Sequence, residues 1–293
     1  MTDRGHLNAH LLMVIYAVLI STAFPVISRI TDSLAPELLT FLRFTIATVV
    51  FCGLMLTSGQ LSRPGWRGLG RYCLISLSLV IFFVLMFWAL RWTTPVRAGA
   101  VFTLAPLISA GIGYILLRSG IDFWQFTCLI VGAAGAIWVV FDGSLTALLG
   151  LRIGRGEVLF FIGASAFAAY SPLVKKLHRG ETALTMTFWV LLIGTVLLGV
   201  VATPAMLKAN WAAVPSSTYG GLVYLAIFPT AITFSIAKYA SVRLVPAKVM
   251  AYTYLTPALV AIMEGVAGAG WPTVSVTIGM AVIGLATLLL QRS

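Results

Sequence analysis

The sequence predicts an all-α polytopic membrane protein, with ten transmembrane helices arranged as two inverted five-helix repeats, residues 1–150 and 151–293. Three observations lead there. The chain is 60% hydrophobic and only 9% charged, with a mean hydropathy of +1.03, whereas a soluble domain carries roughly 25% charged residues. Such a chain cannot cover itself with polar surface, so its solvent is lipid. The apolar residues also come in blocks of about 20, the length that crosses a hydrocarbon layer about 30 Å thick at 1.5 Å per residue. Finally, one phrase is written twice. TTPVRAGAVFTLAP from Thr93 and LVPAKVMAYTYLTP from Leu244 share a proline at the third place, a basic residue two places later, and a second proline eleven places after the first. Pro95, Arg97, Ala100, Leu104 and Pro106 thus map onto Pro246, Lys248, Ala251, Leu255 and Pro257 at a constant offset of 151 residues.

The spans follow in order. Ala9–Ser28 comes after a leader holding Asp3 and Arg4, with no small-x-small cleavage site, so it reads as a retained span rather than a signal peptide. Pro36–Thr57 and Tyr72–Leu90 flank a connection, Ser58–Arg71, rich in Gly, Pro, Ser and Trp, as interfacial loops tend to be. Pro95–Leu117 carries the first copy of the repeated phrase, and Phe123–Phe141 closes the first repeat. After the loop Asp142–Gly156 come Glu157–Leu177 and Leu184–Thr203, then the loop Pro204–Thr218 and Tyr219–Tyr239. Pro246–Ala267 carries the second copy, and Pro272–Gln291 ends the series.

The phrase therefore opens the fourth and ninth spans, and the repeat unit is five helices. Five is odd, so the second copy enters the membrane from the opposite face, the construction of many secondary transporters. Pro25 with Arg29 in the first span and Pro172 with Lys176 in the sixth repeat a second spacing, and VGAAGA from Val131 matches IGLATL from Ile283. Twelve of the 19 Lys and Arg fall on the side of the N-terminus and seven on the other side or within spans, which predicts both termini in the cytoplasm. Inversion explains the modest margin, because Arg97 and Lys248 cannot both obey the rule.

The net charge of +11 is spread over short connections, so it fits lipid headgroups and not nucleic acid. Cys52, Cys73 and Cys128 all lie in apolar blocks, and no spacing suggests a metal or another cofactor. Catalytic signatures are missing too. No GxxxxGK[ST], HExxH or GxSxG occurs, and His6, His10 and His178 are scattered. Transport fits better than an enzyme. A channel or lipid scramblase on the same scaffold is the alternative, and a lipid-modifying enzyme a weaker one. Oligomeric state is not legible.

Five groups of residues carry the functional expectation. Arg97 and Lys248 sit in the first helical turn, where the macrodipole is already positive; they either draw a substrate carboxylate toward each mouth or snorkel to lipid phosphate. Pro106 and Pro257 lie about 16 Å further along, near mid-membrane, as hinges or as static kinks. Among the aromatics, Phe83, Phe87, Phe102, Tyr170 and Tyr252 are the candidates for a pocket suited to a neutral amphipathic solute, against packing between helices or facing lipid. Tyr252 and Tyr254 are about 200° apart on a helix, so at most one faces a central cavity. Glu264 is the acidic residue well inside a predicted span, either a proton-coupling group or part of a wet mouth.

Ten spans, the five-plus-five duplication and the P…[RK]…P phrase resemble the drug/metabolite transporter superfamily, in its EamA-like branch. AFPVISRI with LRF at Leu42–Phe44 looks like that family's opening, and LAPLISAGIGYILL and LTPALVAIMEGVAG like its fourth and ninth helices. The chain is most similar to bacterial aromatic amino acid exporters. The resemblance implies export of aromatic and other neutral amino acids across the inner membrane, through a central cavity between the repeats.

Overall fold

The computed structural model describes residues 3–59, 64–118, 120, 122–141, 143–150, 154–269, 271 and 273–292. Among them the fold is entirely helical. In lipid no water satisfies a free N–H or C=O, so each crossing segment closes its own backbone bonds as a helix.

The elements are α1 (Asp3–Ile30), α2 (Pro36–Ser58), α3 (Trp66–Ala89), α4 (Pro95–Phe102), α5 (Ala105–Leu117), α6 (Phe123–Val140), α7 (Leu145–Leu149), α8 (Arg155–Ala168), α9 (Tyr170–Leu177) and α10 (Ala183–Lys208). Then come α11 (Ser216–Ala226), α12 (Thr233–Ser241), α13 (Pro246–Ala251), α14 (Leu255–Glu264) and α15 (Val274–Arg292). Seven continuous helical runs among the described residues are long and apolar enough to cross a bilayer, and Ala105–Leu117, Phe123–Val139 and Val274–Leu290 are shorter apolar helices. The chain is a multi-pass membrane protein.

Several expected spans differ in detail. The third begins six residues earlier, at Trp66, because the amphipathic Trp and Arg of that turn sit at the interface and still continue the helix. The expected fourth span is two pieces, α4 and α5, broken at Thr103 and Leu104. The ninth is broken ahead of the matching proline by a 3-10 turn, Tyr252–Tyr254, between α13 and α14. One cause serves both. A proline ring clashes with the carbonyl four residues back; for Pro106 that is Phe102, the last residue of α4, and for Pro257 it is Thr253, inside the turn. The eighth span is widened by a π-helical segment, Ile227–Ile232, between α11 and α12.

The two halves interleave. α2 packs on α10, α3 on α8, α6 on α15, and α1 on α11 and α12. α4 lies against α14 and α5 against α13, so the two broken helices cross antiparallel, each half meeting the opposite half of its counterpart. α6 and α15 approach closely: a Cβ on Gly135 would stand 3.3 Å from the Gly279 carbonyl oxygen, and one on Gly279 3.2 Å from that of Gly135. The main core of buried side chains spans α1 to α5 and α8 to α14, with a smaller one where α5 and α13 meet α6 and α15.

Candidate functional site at the centre of the bundle

The aromatic residues converge where the broken helices cross. Phe102 of α4 stacks on Phe82 of α3 at 5.6 Å between centroids, and Phe82 touches Phe83 at 4.9 Å. Phe83 reaches Phe234 of α12 at 5.9 Å, and Phe234 reaches Tyr170 of α9 at 6.1 Å. Tyr170 stacks on Phe167 of α8 at 6.4 Å, and Phe167 returns to Phe102 at 5.3 Å. Six rings from five helices thus form a closed circuit, with rings of both halves in it. Offset and edge contacts of this kind contribute about 0.5–1.5 kcal/mol per pair beyond burial.

Of the residues expected to line a pocket, Phe83, Phe102 and Tyr170 belong to this circuit. Phe87, one turn beyond Phe83, is fully buried, and its carbonyl accepts a hydrogen bond from the Thr31 hydroxyl at 2.9 Å. Tyr252 is buried against α1, its hydroxyl 2.8 Å from Nδ1 of His10. Pro106 and Pro257 are both buried just past their helix breaks.

The charged residues lie at the two ends. Arg97 is 60% exposed, and its Nη1 is 3.7 Å from Oε1 of Glu157 at the start of α8. That carboxylate accepts from the Thr93 hydroxyl at 2.7 Å and from the Gly154 N–H at 2.8 Å, so it also caps α8. Lys248 is half-buried and interacts with Asp122. It stands at the other end of the bundle, where Lys175 of α9 donates to the Leu244 carbonyl at 3.1 Å. Glu264 is half-buried at the end of α14, followed by a π-helical turn, Gly265–Ala269. A cavity of about 520 Å³ opens between the start of α2 and the end of α10, lined by Ser33, Glu37, Lys208 and Asn210 among others. None of the six rings of the circuit lines it.

Two buried polar features went unsingled in the sequence. The first is Arg43 of α2, 1% exposed. Its Nε donates to the Thr230 hydroxyl, its Nη2 donates to the Pro229 carbonyl at 2.9 Å, and its guanidinium lies 4.3 Å over the Phe83 ring. Nη1 is buried with no hydrogen-bond partner. None of the ion pairs among the described residues includes Arg43. The acceptors follow from FPTAI: Pro229 has no N–H to give the Leu225 carbonyl, so the helix widens and the Thr230 hydroxyl donates there at 2.7 Å. A lone arginine inside an apolar run was the available signal, since charges within the membrane are costly and rare.

The second is a polar cluster closing the end that holds Lys248. Nζ of Lys238, itself 2% exposed on α12, lies 2.8 Å from Nδ1 of His178. The same Nδ1 is 3.3 Å from Oε2 of Glu181. Glu181 pairs with Arg71 of α3 at 2.8 Å, accepts the Arg179 N–H at 2.6 Å, and is 3.3 Å from the Tyr72 hydroxyl. Burial, then the Lys238 charge, pushes the His178 imidazole below its ordinary value. Burial raises the Glu181 carboxyl, but backbone N–H groups and Arg71 outweigh it, and its net shift is downward.

The chain matches the EamA-like transporter family twice, over residues 7–141 and again over residues 154–292. The chain belongs to the EamA-like transporter family. Its relatives within reach carry transporter names. The chain is 22% identical to an uncharacterized transporter, YyaM, of Bacillus subtilis, over 78% of this chain and 76% of that one. It is 26% identical to a probable terminal-alkyne amino-acid exporter of Streptantibioticus cattleyicolor, over 84% and 80% respectively. With the S-adenosylmethionine/S-adenosylhomocysteine transporter of Chlamydia trachomatis it shares 28% over 60% of this chain and 55% of the other. One crystal structure superposes with a TM-score of 0.78 at 22% identity, over 96% of each chain, which establishes likeness of fold. This EamA-like protein is a membrane transporter rather than an enzyme.

Proposed function

We propose that this transporter exports small metabolites, aromatic and other neutral amino acids foremost, by alternating access between two inverted five-helix repeats that make ten crossings. In this reading the repeats are residues 1–150 and 151–293, the membrane is the bacterial inner membrane, and both termini are cytoplasmic. The antiparallel crossing of two helices, each broken just ahead of a matched proline, Pro106 or Pro257, beside the ring circuit, is the observation that carries it. Matched breaks let the outer half of one helix and the inner half of the other move while their partners stay, which exchanges the open side. The double family match and the amino-acid exporter among the relatives support the same reading.

Roles follow from position. Phe83, Phe102 and Tyr170 wall the path, with Phe87 and Tyr252 behind them. Arg97 and Lys248 capture substrate at opposite mouths, Pro106 and Pro257 are the hinges, and Glu264 is the coupling carboxylate. The experiment is counterflow in proteoliposomes preloaded with unlabelled amino acids. Accumulation of labelled phenylalanine or leucine against its gradient is expected. Downhill flux with no trans-stimulation would establish a channel instead, and lipid movement without solute flux a scramblase.

A further inference from the structure

The guanidinium of Arg43 has work that the fold does not use. It presents two parallel forks of N–H donors. One fork, Nε with one Nη2 hydrogen, is filled by the Thr230 hydroxyl and the Pro229 carbonyl. The other, Nη1 with the second Nη2 hydrogen, is open on its Nη1 side. One face of the group is covered by the Phe83 ring. Of the eight acidic residues, Glu37 is the nearest in sequence on the same helix, six positions away and so on a different face. A guanidinium stays protonated throughout the physiological range, and an unpaired buried charge costs several kcal/mol. A positive charge held by neutral dipoles, with a fork left over, is half of an ion pair.

We propose that Arg43 is the anion receptor of the transport path and takes the carboxylate of a monoanionic or zwitterionic substrate in a two-point pair on its open fork. The proposal rests on the transport reading above and deepens it by naming the recognised group. One carboxylate balances one guanidinium, whereas a dianionic phosphate ester would leave a net charge in the bundle. A planar carboxylate also matches the fork in geometry. The body of the ligand is specified by what adjoins the guanidinium: Phe83 over its face, and beyond that ring Phe82, Phe234 and Tyr170 of the circuit, an apolar wall suited to an aromatic or branched aliphatic side chain. Arg43 is buried in this structure, so its fork is reached from either side only as the repeats move. This site is distinct from Arg97 and Lys248, which stand at the ends.

The test compares acids with the amides that lack the carboxylate, on purified protein, using phenylacetate against phenylacetamide and L-leucine against L-leucinamide. Thermal stabilisation and direct titration calorimetry read the binding. The acid of at least one pair should bind wild type about thirtyfold more tightly than its amide. Arg43→Gln should erase that preference while leaving amide binding unchanged, and Arg43→Lys should keep part of it. Thr230→Val, which removes one acceptor of the filled fork, should reduce the preference and serves as the second variant if Arg43→Gln does not fold. Equal affinity for acid and amide in wild type, no binding by any of the four, or a preference surviving in Arg43→Gln would each overturn the proposal. A purely structural clamp would instead lower thermal stability in every variant without any difference between acid and amide. Counterflow separates the two readings: an acid preference without counterflow sinks export and leaves the receptor standing, and counterflow without acid preference does the reverse.

Discussion

Gly99 of α4 stands directly against Pro257 of α14, where a Cβ on Gly99 would lie 3.7 Å from the Pro257 Cα and 3.9 Å from its ring. That contact joins the first copy of the duplicated phrase to the second, at the point where the broken helices cross. A methyl fits at ordinary van der Waals distance. Gly99→Ala should therefore leave thermal stability near wild type, whereas Gly99→Leu forces the helices apart at about 1–3 kcal/mol. Thermal melts and counterflow of both variants check this; a fully active Gly99→Leu would mean the crossing tolerates separation.

Pro106 and Pro257 end the carbonyl ladder of the preceding segments, and alanine would restore an N–H to each. The helices would then be continuous and stiffer. We expect Pro106→Ala and Pro257→Ala to slow maximal transport about tenfold or more while affinity changes less than about threefold. Steady-state counterflow with equilibrium binding separates the two. Matched losses of rate and affinity would make the prolines shapers of the path instead of hinges.

The Nδ1 atom of His178 cannot accept from Lys238 and donate to Glu181 at once. Its depressed pKa means the neutral ring, accepting from Lys238, is the state held near pH 7. In the unfolded chain histidine titrates near pH 6.5. Between that value and the lower folded one, the unfolded state binds more protons, so stability falls as pH falls. Glu181 acts in the same direction at lower pH: its contribution is present above the ordinary glutamate value and lost as pH drops through its depressed one. Melting temperature should thus decline from about pH 7.5 to 5.5, and His178→Gln should flatten that decline. Superimposable pH profiles would remove His178 as its cause.

Arg97 and Lys248 should differ in weight. Arg97 is largely exposed and partly balanced by Glu157, and exposed pairs contribute about 0–1 kcal/mol. Arg97→Ala should change capture of an amino acid less than about fivefold at low salt, with the effect fading at 0.5 M as screening shortens. Lys248→Ala, at a half-buried site on the other face, should act more strongly and from that face only. Sided uptake in oriented vesicles, with an acid and its amide, measures both. Equal and salt-independent effects would favour snorkelling to lipid.

Composition and spacing were enough for the class of the molecule and for its grammar. Block length against bilayer thickness dictates helices, and the constant offset of 151 residues between Pro106 and Pro257 marked two matched breaks. These are local properties, because a proline disrupts its own turn whatever surrounds it. Phe83, Phe87, Phe102, Tyr170 and Tyr252 could be nominated only as aromatic residues within spans. Phe82, Phe167 and Phe234 could not be told apart from the other phenylalanines, since which ring meets which depends on the rotation of five separate helices.

Arg43 shows the division most clearly. In the chain it is one of 19 basic residues, indistinguishable by type from those that face headgroups. Packing placed it against a π-helical turn 186 residues away, filled one of its forks and left Nη1 without a partner. Likewise Lys238 and His178 are 60 residues apart, and Arg71 and Glu181 still further, yet they share one cluster. Helix formation is decided within a few residues by backbone bonding and solvent. The electrostatic state of a side chain is decided by everything that comes within a few ångströms of it, and those neighbours are assembled only when the helices pack.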